Sequence, residues 1–289
     1  MKANFKPLGL AAAVAAASAG FAGAVAAEVS SNGIGDLALI PYYTVQGDFV
    51  TGVHITNTSA HTQVVKLRFR RASDSMDALD LNVVMSPKDV FTGFIDDSSG
   101  TLLFSTDDSS CTVPAGNAGV GKFAFPDLYR EGAEEGYIEV IGMARATSEL
   151  QPIAVAAKHT SEGVPLNCDR VRDNFFSQWP TLETRDYGNF GPARTTQLWW
   201  ANSAEIGDDT KLTVLPNTYT DTGDFVRVSY FIRDAASGLE FGNDAVHIEG
   251  FNDAPMMTNQ QYGLFSGDLS GFDYPDLNGG VPFWDDLLN

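Results

Sequence analysis

The sequence predicts an all-β protein, an antiparallel β-sandwich of one or two modules with a short covering helix. Between Asp48 and Ile95 apolar and polar residues alternate with a period of two, which puts one set on each face of a sheet. Polar or proline-bearing turns separate the alternating runs, and a single stretch, Asn167 to Trp179, carries helical spacing.

Val53 and Ile55 alternate with His54 and Thr56, and the turn from Asn57 to His61 ends that run. Val65, Leu67 and Phe69 then alternate with Lys66, Arg68 and Arg70. The apolar set requires a second layer, whereas the cationic set is expected to stay in water. Leu79, Leu81 and Val83 repeat the pattern, Ser86-Pro87-Lys88-Asp89 breaks it, and Val90 to Ile95 supplies the next strand. Thr101 to Thr106 is a short strand, and the Gly-rich loop from Ala115 to Gly121 lacks the Lys-Ser/Thr ending of a phosphate-binding loop.

Pro126 to Glu135 reads as one helical turn or a long loop. Gly136 to Ala144 is a strand with Ile138 and Val140 on one face and Tyr137, Glu139 and Ile141 on the other, and Pro152 to Thr160 reads as a neighbouring strand. In the helix from Asn167 to Trp179, Val171, Phe175 and Trp179 recur at spacing four; Asn167 or Asp169 caps its start and Pro180 ends it. It is expected to cover an open end or edge of the sandwich, pinned by Cys168. Beyond a turn-rich stretch from Thr181 to Thr195, strands are expected at 196–202, 211–219 and 225–233. Leu239 to Phe241 and Ala245 to Glu249 should close a hairpin over Gly242-Asn243-Asp244.

The organisation that follows is a signal peptide at 1–27, a β-sandwich module at 28–180, a second β module or continuation of the same sandwich at 181–251, and an irregular acidic, aromatic tail at 252–289. A weak echo between Leu37 to Val50 and Leu212 to Val226 fits either two related modules or chance. Lys2 and Lys6 precede an apolar run rich in Ala and Gly that ends in small residues at Ala24, Ala26 and Ala27, as a secretory leader requires. A retained membrane anchor is the alternative, disfavoured because Ala and Gly partition weakly into hydrocarbon. An extracellular or cell-surface location, or the periplasm, is therefore expected, with no transmembrane segment after the leader is removed.

The formal net charge of −19 argues against nucleic acid, which needs clustered cations. Charged residues make up 19% of the chain and hydrophobic ones 44%, the balance of a folded protein. In an oxidising compartment Cys111 and Cys168, the two cysteines of the chain, are expected to form a disulfide, with two free thiols as the alternative.

No cofactor is required by any motif. The acids allow calcium, which takes carboxylate oxygens from flexible loops: Asp96 with Asp97, Asp107 with Asp108, Asp208 with Asp209, Asp221 with Asp224, and Asp268, Asp273 and Asp276 in the tail. None of these has EF-hand spacing, and solvated turn aspartates are the plainer reading at each. Trp199 and Trp200 are adjacent, so on a strand they face opposite ways; one of them, or Trp284, could stack on a sugar ring, and burial is the alternative. The four histidines, His54, His61, His159 and His247, are scattered, and neither HExxH nor GxSxG occurs, so a non-enzyme is expected.

The stretch VHITNTS, then DALDLNVVMSPKDVFTG, DSSCTVP and EGYIEVIGMA resembles a group of exported bacterial β-rich cell-surface proteins, over about residues 33–160. The resemblance implies an exported, surface-displayed β-sandwich and supplies no catalytic residues. The NTS turn with its alternating strand is also similar to immunoglobulin-like modules, although their Cys-Trp-Cys core signature is absent, so an immunoglobulin-like or jelly-roll-like sandwich is expected. The leading functional expectation is a surface or extracellular-matrix protein in adhesion, a surface layer or a filament, partnered by itself, another surface component or a polysaccharide. A secreted calcium- or carbohydrate-binding module is the alternative, and an enzyme with an unrecognised site the third reading.

Overall fold

The computed structural model describes residues 27–97, 100–113, 115, 121–171, 219–234 and 236–251. They form two stacked antiparallel sheets, as the alternation predicts. The larger sheet has eight strands. These are β1 (Glu28–Val29), β2 (Leu37–Thr44), β4 (Gln63–Arg71), β5 (Asp77–Met85), β8 (Cys111–Val113), β10 (Glu135–Ala146), β11 (Tyr219–Thr220) and β14 (Val246–Glu249). The smaller sheet has six, β3 (Phe49–Asn57), β6 (Val90–Asp96), β7 (Leu103–Ser105), β9 (Lys122–Ala124), β12 (Val226–Asp234) and β13 (Glu240–Asp244). Among the described residues there are also two short helices, α1 (Asp127–Arg130) and α2 (Pro152–Ala157), and the start of a third at 168–171. No helix among the described residues is long and apolar enough to cross a membrane.

The four strands from Asp48 to Ile95 do not form a meander, because the chain changes sheet at both of their outer turns. β3 pairs with β6 and with β12 in the smaller sheet, while β4 and β5 pair with each other in the larger one. Asn57 holds the crossing: its Nδ2 donates to the carbonyls of His61 and Ser86, both at 2.8 Å, and its Oδ1 accepts the Ser59 N–H. One buried amide thereby fixes the turn after β3 and the turn before β6.

The core lies between the sheets. Val65, Leu67 and Phe69 of β4, Leu79, Leu81 and Val83 of β5, and Ile138 and Val140 of β10 face Val53 and Ile55 of β3, Phe91 and Ile95 of β6, and Val226 and Val228 of β12. Phe69 is its aromatic centre, with ring centroids 5.1 Å from Phe104, 5.5 Å from Phe125 and 6.2 Å from Tyr43. Such tilted and edge-on pairs each add roughly 0.5–1.5 kcal/mol beyond area burial. Tyr43 is fully buried and donates its hydroxyl to the Ala133 carbonyl at 3.0 Å. A second, smaller core joins Val64, Val84, Cys111, Met143, Ile153, Ala156 and Val171 under α2. The helix predicted from Asn167 begins as expected: residues 168–171 are helical and Asn167 Oδ1 accepts the Arg170 N–H at 2.8 Å, while its remainder lies outside the described residues.

Three sequence expectations are corrected. Pro152 to Thr160 is not a strand; Pro152 opens α2, where a missing N–H costs nothing, and the small residues Ala154, Ala156 and Ala157 let it lie close to the sheet. β13 and β14 do not pair as a hairpin. β13 pairs with β12 and β14 with β2, so the chain steps from one sheet to the other at Ala245. Lys66, Arg68 and Arg70 are buried and not in water, for reasons taken up below.

His247 secures the crossing at Ala245. It is buried, and its Nε2 accepts the N–H of Val228 from the opposite sheet at 2.8 Å. Protonation removes that acceptor, and burial pushes the imidazole below its ordinary value, against the pull of nearby Asp244. With the folded value lowered, the unfolded chain binds the extra proton first. This contribution to stability is therefore complete above about pH 6.5 and is lost as pH falls through the folded value. A His247→Gln variant is expected to show a shallower loss of melting temperature between neutrality and mildly acidic pH, measured by differential scanning calorimetry; an unchanged slope would exclude His247 as the source.

Candidate functional site

The outer face of the smaller sheet is exposed. Period-two alternation sends Val53, Ile55, Phe91, Ile95, Val226 and Val228 inward and leaves His54 and Thr56 on β3, Val90, Thr92 and Phe94 on β6, and Arg227, Ser229, Phe231 and Arg233 on β12 facing out. Strand register aligns Gly242, Phe231, Gly52, Phe94, Ser105 and Lys122 in one transverse row across the sheet. Phe94 and Phe231 are 38% and 41% exposed. Between them Gly52 has no side chain: a Cβ there would lie 2.1 Å from Phe231 Cε1, so the ring lies across the glycine. The next row is polar, Thr92, His54, Ser229 and Asp244. Arg227 pairs with Asp244 at 3.3 Å, and Arg233 stands opposite Glu240, so the face carries little net charge.

The outer face of the larger sheet has the opposite character. Lys66 and Arg68 are 0% exposed, and Arg70, Asp77, Asp80, Asn82 and Glu139 are also buried on β4, β5 and β10. Arg68 Nη2 is 3.2 Å from Asp77 Oδ2 and its Nε 3.6 Å from Asp80 Oδ1; Arg70 Nε donates to Glu139 Oε2 at 2.8 Å; Lys66 Nζ donates to Asp80 Oδ2 at 3.4 Å. Three cations thus meet three acids. A register shift between Phe69 and Arg70 makes this possible: Ala78 and Leu79 both join the core, and Asp77 comes round beside Asp80.

A third constellation surrounds the disulfide. Cys111 and Cys168 are bonded, and the Ser109 carbonyl lies 4.0 Å from Cys168 Sγ. His159 Nδ1 is 3.0 Å from Ser86 Oγ and 3.5 Å from Asp89 Oδ2, while its Nε2 is 3.4 Å from Ser109 Oγ. The order hydroxyl, imidazole, carboxylate is that of an activated nucleophile. Here the Ser109 hydroxyl donates to the Gly163 carbonyl at 2.9 Å, and the N–H of Ser110, a donor an oxyanion would need, is held by Asp108 Oδ1 at 2.8 Å. The arrangement binds three loops together around the disulfide.

Of the acids expected to hold calcium, Asp96 is buried, Asp97 and Asp107 are exposed, and Asp108 accepts from the Ser110 N–H and hydroxyl. Asp221 accepts from Thr220 Oγ1 and Asp224 from the Gly250 N–H. Among the described residues no three His, Cys, Asp or Glu side chains converge on a metal position. Asp208, Asp209, Asp268, Asp273 and Asp276, and the aromatic candidates Trp199, Trp200 and Trp284, lie outside the described residues. Phe94, Gly52 and Phe231 were not singled out from sequence, although a phenylalanine in phase with Arg227, Ser229 and Arg233 is an aromatic side chain on a polar face. Comparison with family models, with curated proteins and with solved structures found no match, so the functional argument rests on the chain's own residues.

Proposed function

We propose that the chain is an exported surface or extracellular-matrix protein that acts as a recognition module and not as an enzyme, binding an uncharged polysaccharide on the outer face of its smaller sheet. The observation that carries this reading is the row Phe94, Gly52, Phe231. It joins two half-exposed rings, one of which, Phe231, lies over Gly52, with the hydroxyls of Thr92 and Ser229 and the imidazole of His54 in the adjoining row. The two phenylalanines stand on strands two apart, and the Phe231 ring leans over Gly52 on the strand between them, so the apolar surface extends across all three strands. Apolar faces of sugar rings stack on such aromatics, while polar neighbours bond to the hydroxyls.

Charge selects an uncharged polymer. The cations Arg227 and Arg233 are matched by Asp244 and Glu240, and the net charge of −19 repels polyanions. The disulfide and the leader-like start of the sequence support export. Self-assembly through β13, whose residues are all exposed, is disfavoured because Glu240 and Asp244 place charge on that edge.

Electrophoresis in native gels containing soluble β-glucan, galactomannan or dextran, with alginate as an acidic control, tests the proposal. Retardation by at least one uncharged polymer and none by alginate is expected. Unchanged mobility in every uncharged gel would overturn it, and concentration-dependent oligomers in sugar-free buffer would point to the sheet edges instead.

A further inference from the structure

Lys66, Asp80 and Asn82 occupy one end of the buried charged ladder, and their geometry suits more than ion pairing. Lys66 and Asn82 are direct cross-strand partners on β4 and β5, and neither has any exposed surface. Directly opposed residues have Cβ atoms about 4.5–5.5 Å apart, so the two side chains share one dry space. Asp80 lies two residues from Asn82 on the same face of β5, with its Oδ2 3.4 Å from Lys66 Nζ. The Asn82 carbonyl oxygen is buried and accepts no hydrogen bond among the described residues, while its Nδ2 reaches the Val113 carbonyl at 3.4 Å. A primary amine, a carboxamide left without a donor on its oxygen and a carboxylate are thus enclosed together.

We propose that Lys66 and Asn82 join in an intramolecular isopeptide bond, with Asp80 as the acid–base group. The Asp80 carboxylate takes one proton from the Lys66 ammonium. The neutral Nζ attacks Cγ of Asn82, forming the N–C bond and placing negative charge on Oδ1. A second Nζ proton passes to Nδ2, the Cγ–Nδ2 bond breaks as the carbonyl re-forms, and ammonia leaves. The third proton stays on the new amide N–H, and the one on Asp80 is released to solvent. No oxidant, cofactor or second protein enters this balance.

Burial pushes the Lys66 ammonium below its ordinary value, against the attraction of Asp80, which favours the nucleophilic form. Arg68 Nε lies 3.6 Å from Asp80 Oδ1, so the carboxylate is held between the guanidinium and the Lys66 amine. The bond ties β4 to β5 beside β8, whose Cys111 carries the disulfide, so two covalent links restrain the same region of the larger sheet.

Intact-mass spectrometry and peptide mapping of the natively folded wild-type protein test this. The expected mass is that of the processed sequence less one ammonia, beyond the two hydrogens of the disulfide. Digestion should yield a branched peptide joining the segments of Lys66 and Asn82. Lys66→Met and Asp80→Asn should each abolish the branch, and Asn82→Asp should release water in place of ammonia. Full mass with only linear peptides from folded wild-type protein would overturn the proposal whether or not the variants fold, as would a branch from Lys66 to Asp80.

Discussion

Replacing Arg68 by Met is expected to lower the free energy of unfolding by about 3–5 kcal/mol, because it leaves acids buried without their central cation. Arg68 contacts Asp77, Asp80 and Glu139, at 3.2, 3.6 and 3.8 Å. Its methylene stem is retained in Met, so the loss is electrostatic and not a cavity. The intact ladder need not stabilise the fold relative to an apolar one of the same shape, since desolvating both partners offsets most of the attraction. Changing Arg68, Arg70, Asp77 and Glu139 together to apolar residues should therefore cost less than Arg68→Met alone. Urea titrations of both variants decide it. A single-site loss below about 1 kcal/mol would place this ladder in the range of exposed ion pairs, contrary to its burial.

Removing the disulfide by changing Cys111 and Cys168 to Ala is expected to cost roughly 4 kcal/mol, the chain-entropy value for its loop of 57 residues. The effect should be concentrated in the smaller core. Cys111 packs there with Val64, Val84, Met143, Ile153 and Val171, and the His159 network with Ser86, Asp89 and Ser109 sits on the same loops. Amide exchange at Val155 and Lys158, whose N–H groups close α2 on Gln151 and Ala154, should accelerate before that of the β3–β12 pair. Uniform acceleration across both sheets would show instead that the region around the bond opens only together with the whole sandwich.

The inward faces were legible because a period of two needs no knowledge of partners: Val65, Leu67 and Phe69 are apolar against any second layer. The fate of Lys66, Arg68 and Arg70 was not, since it depends on Glu139, far along the chain, and on Asp77 being turned outward by a register shift. Asp80 and Asn82 lie in phase with one another, and that phase was the available signal. α2 was misread because Ile, Val and Ala alternate in it as they do in a strand. Pro152 at its first position was the sign of a helix. The step between sheets at Ala245 hides in a sequence whose turn residues equally suit a hairpin. The candidate face was visible only in part, because Phe94, Gly52 and Phe231 become neighbours through the register of three strands separated in sequence.

That Phe94 and Phe231 form the recognition surface is tested most directly by measuring polysaccharide affinity for the Phe94→Ala, Phe231→Ala double variant beside wild type, with the melting temperature of each recorded. Both rings are partly exposed, so their cross-strand packing is worth about 1 kcal/mol or less and the fold should survive. The predicted result is loss of at least tenfold in affinity, about 1.4 kcal/mol, with the melting transition still cooperative. Wild-type affinity in a folded double variant would contradict the assignment of this face.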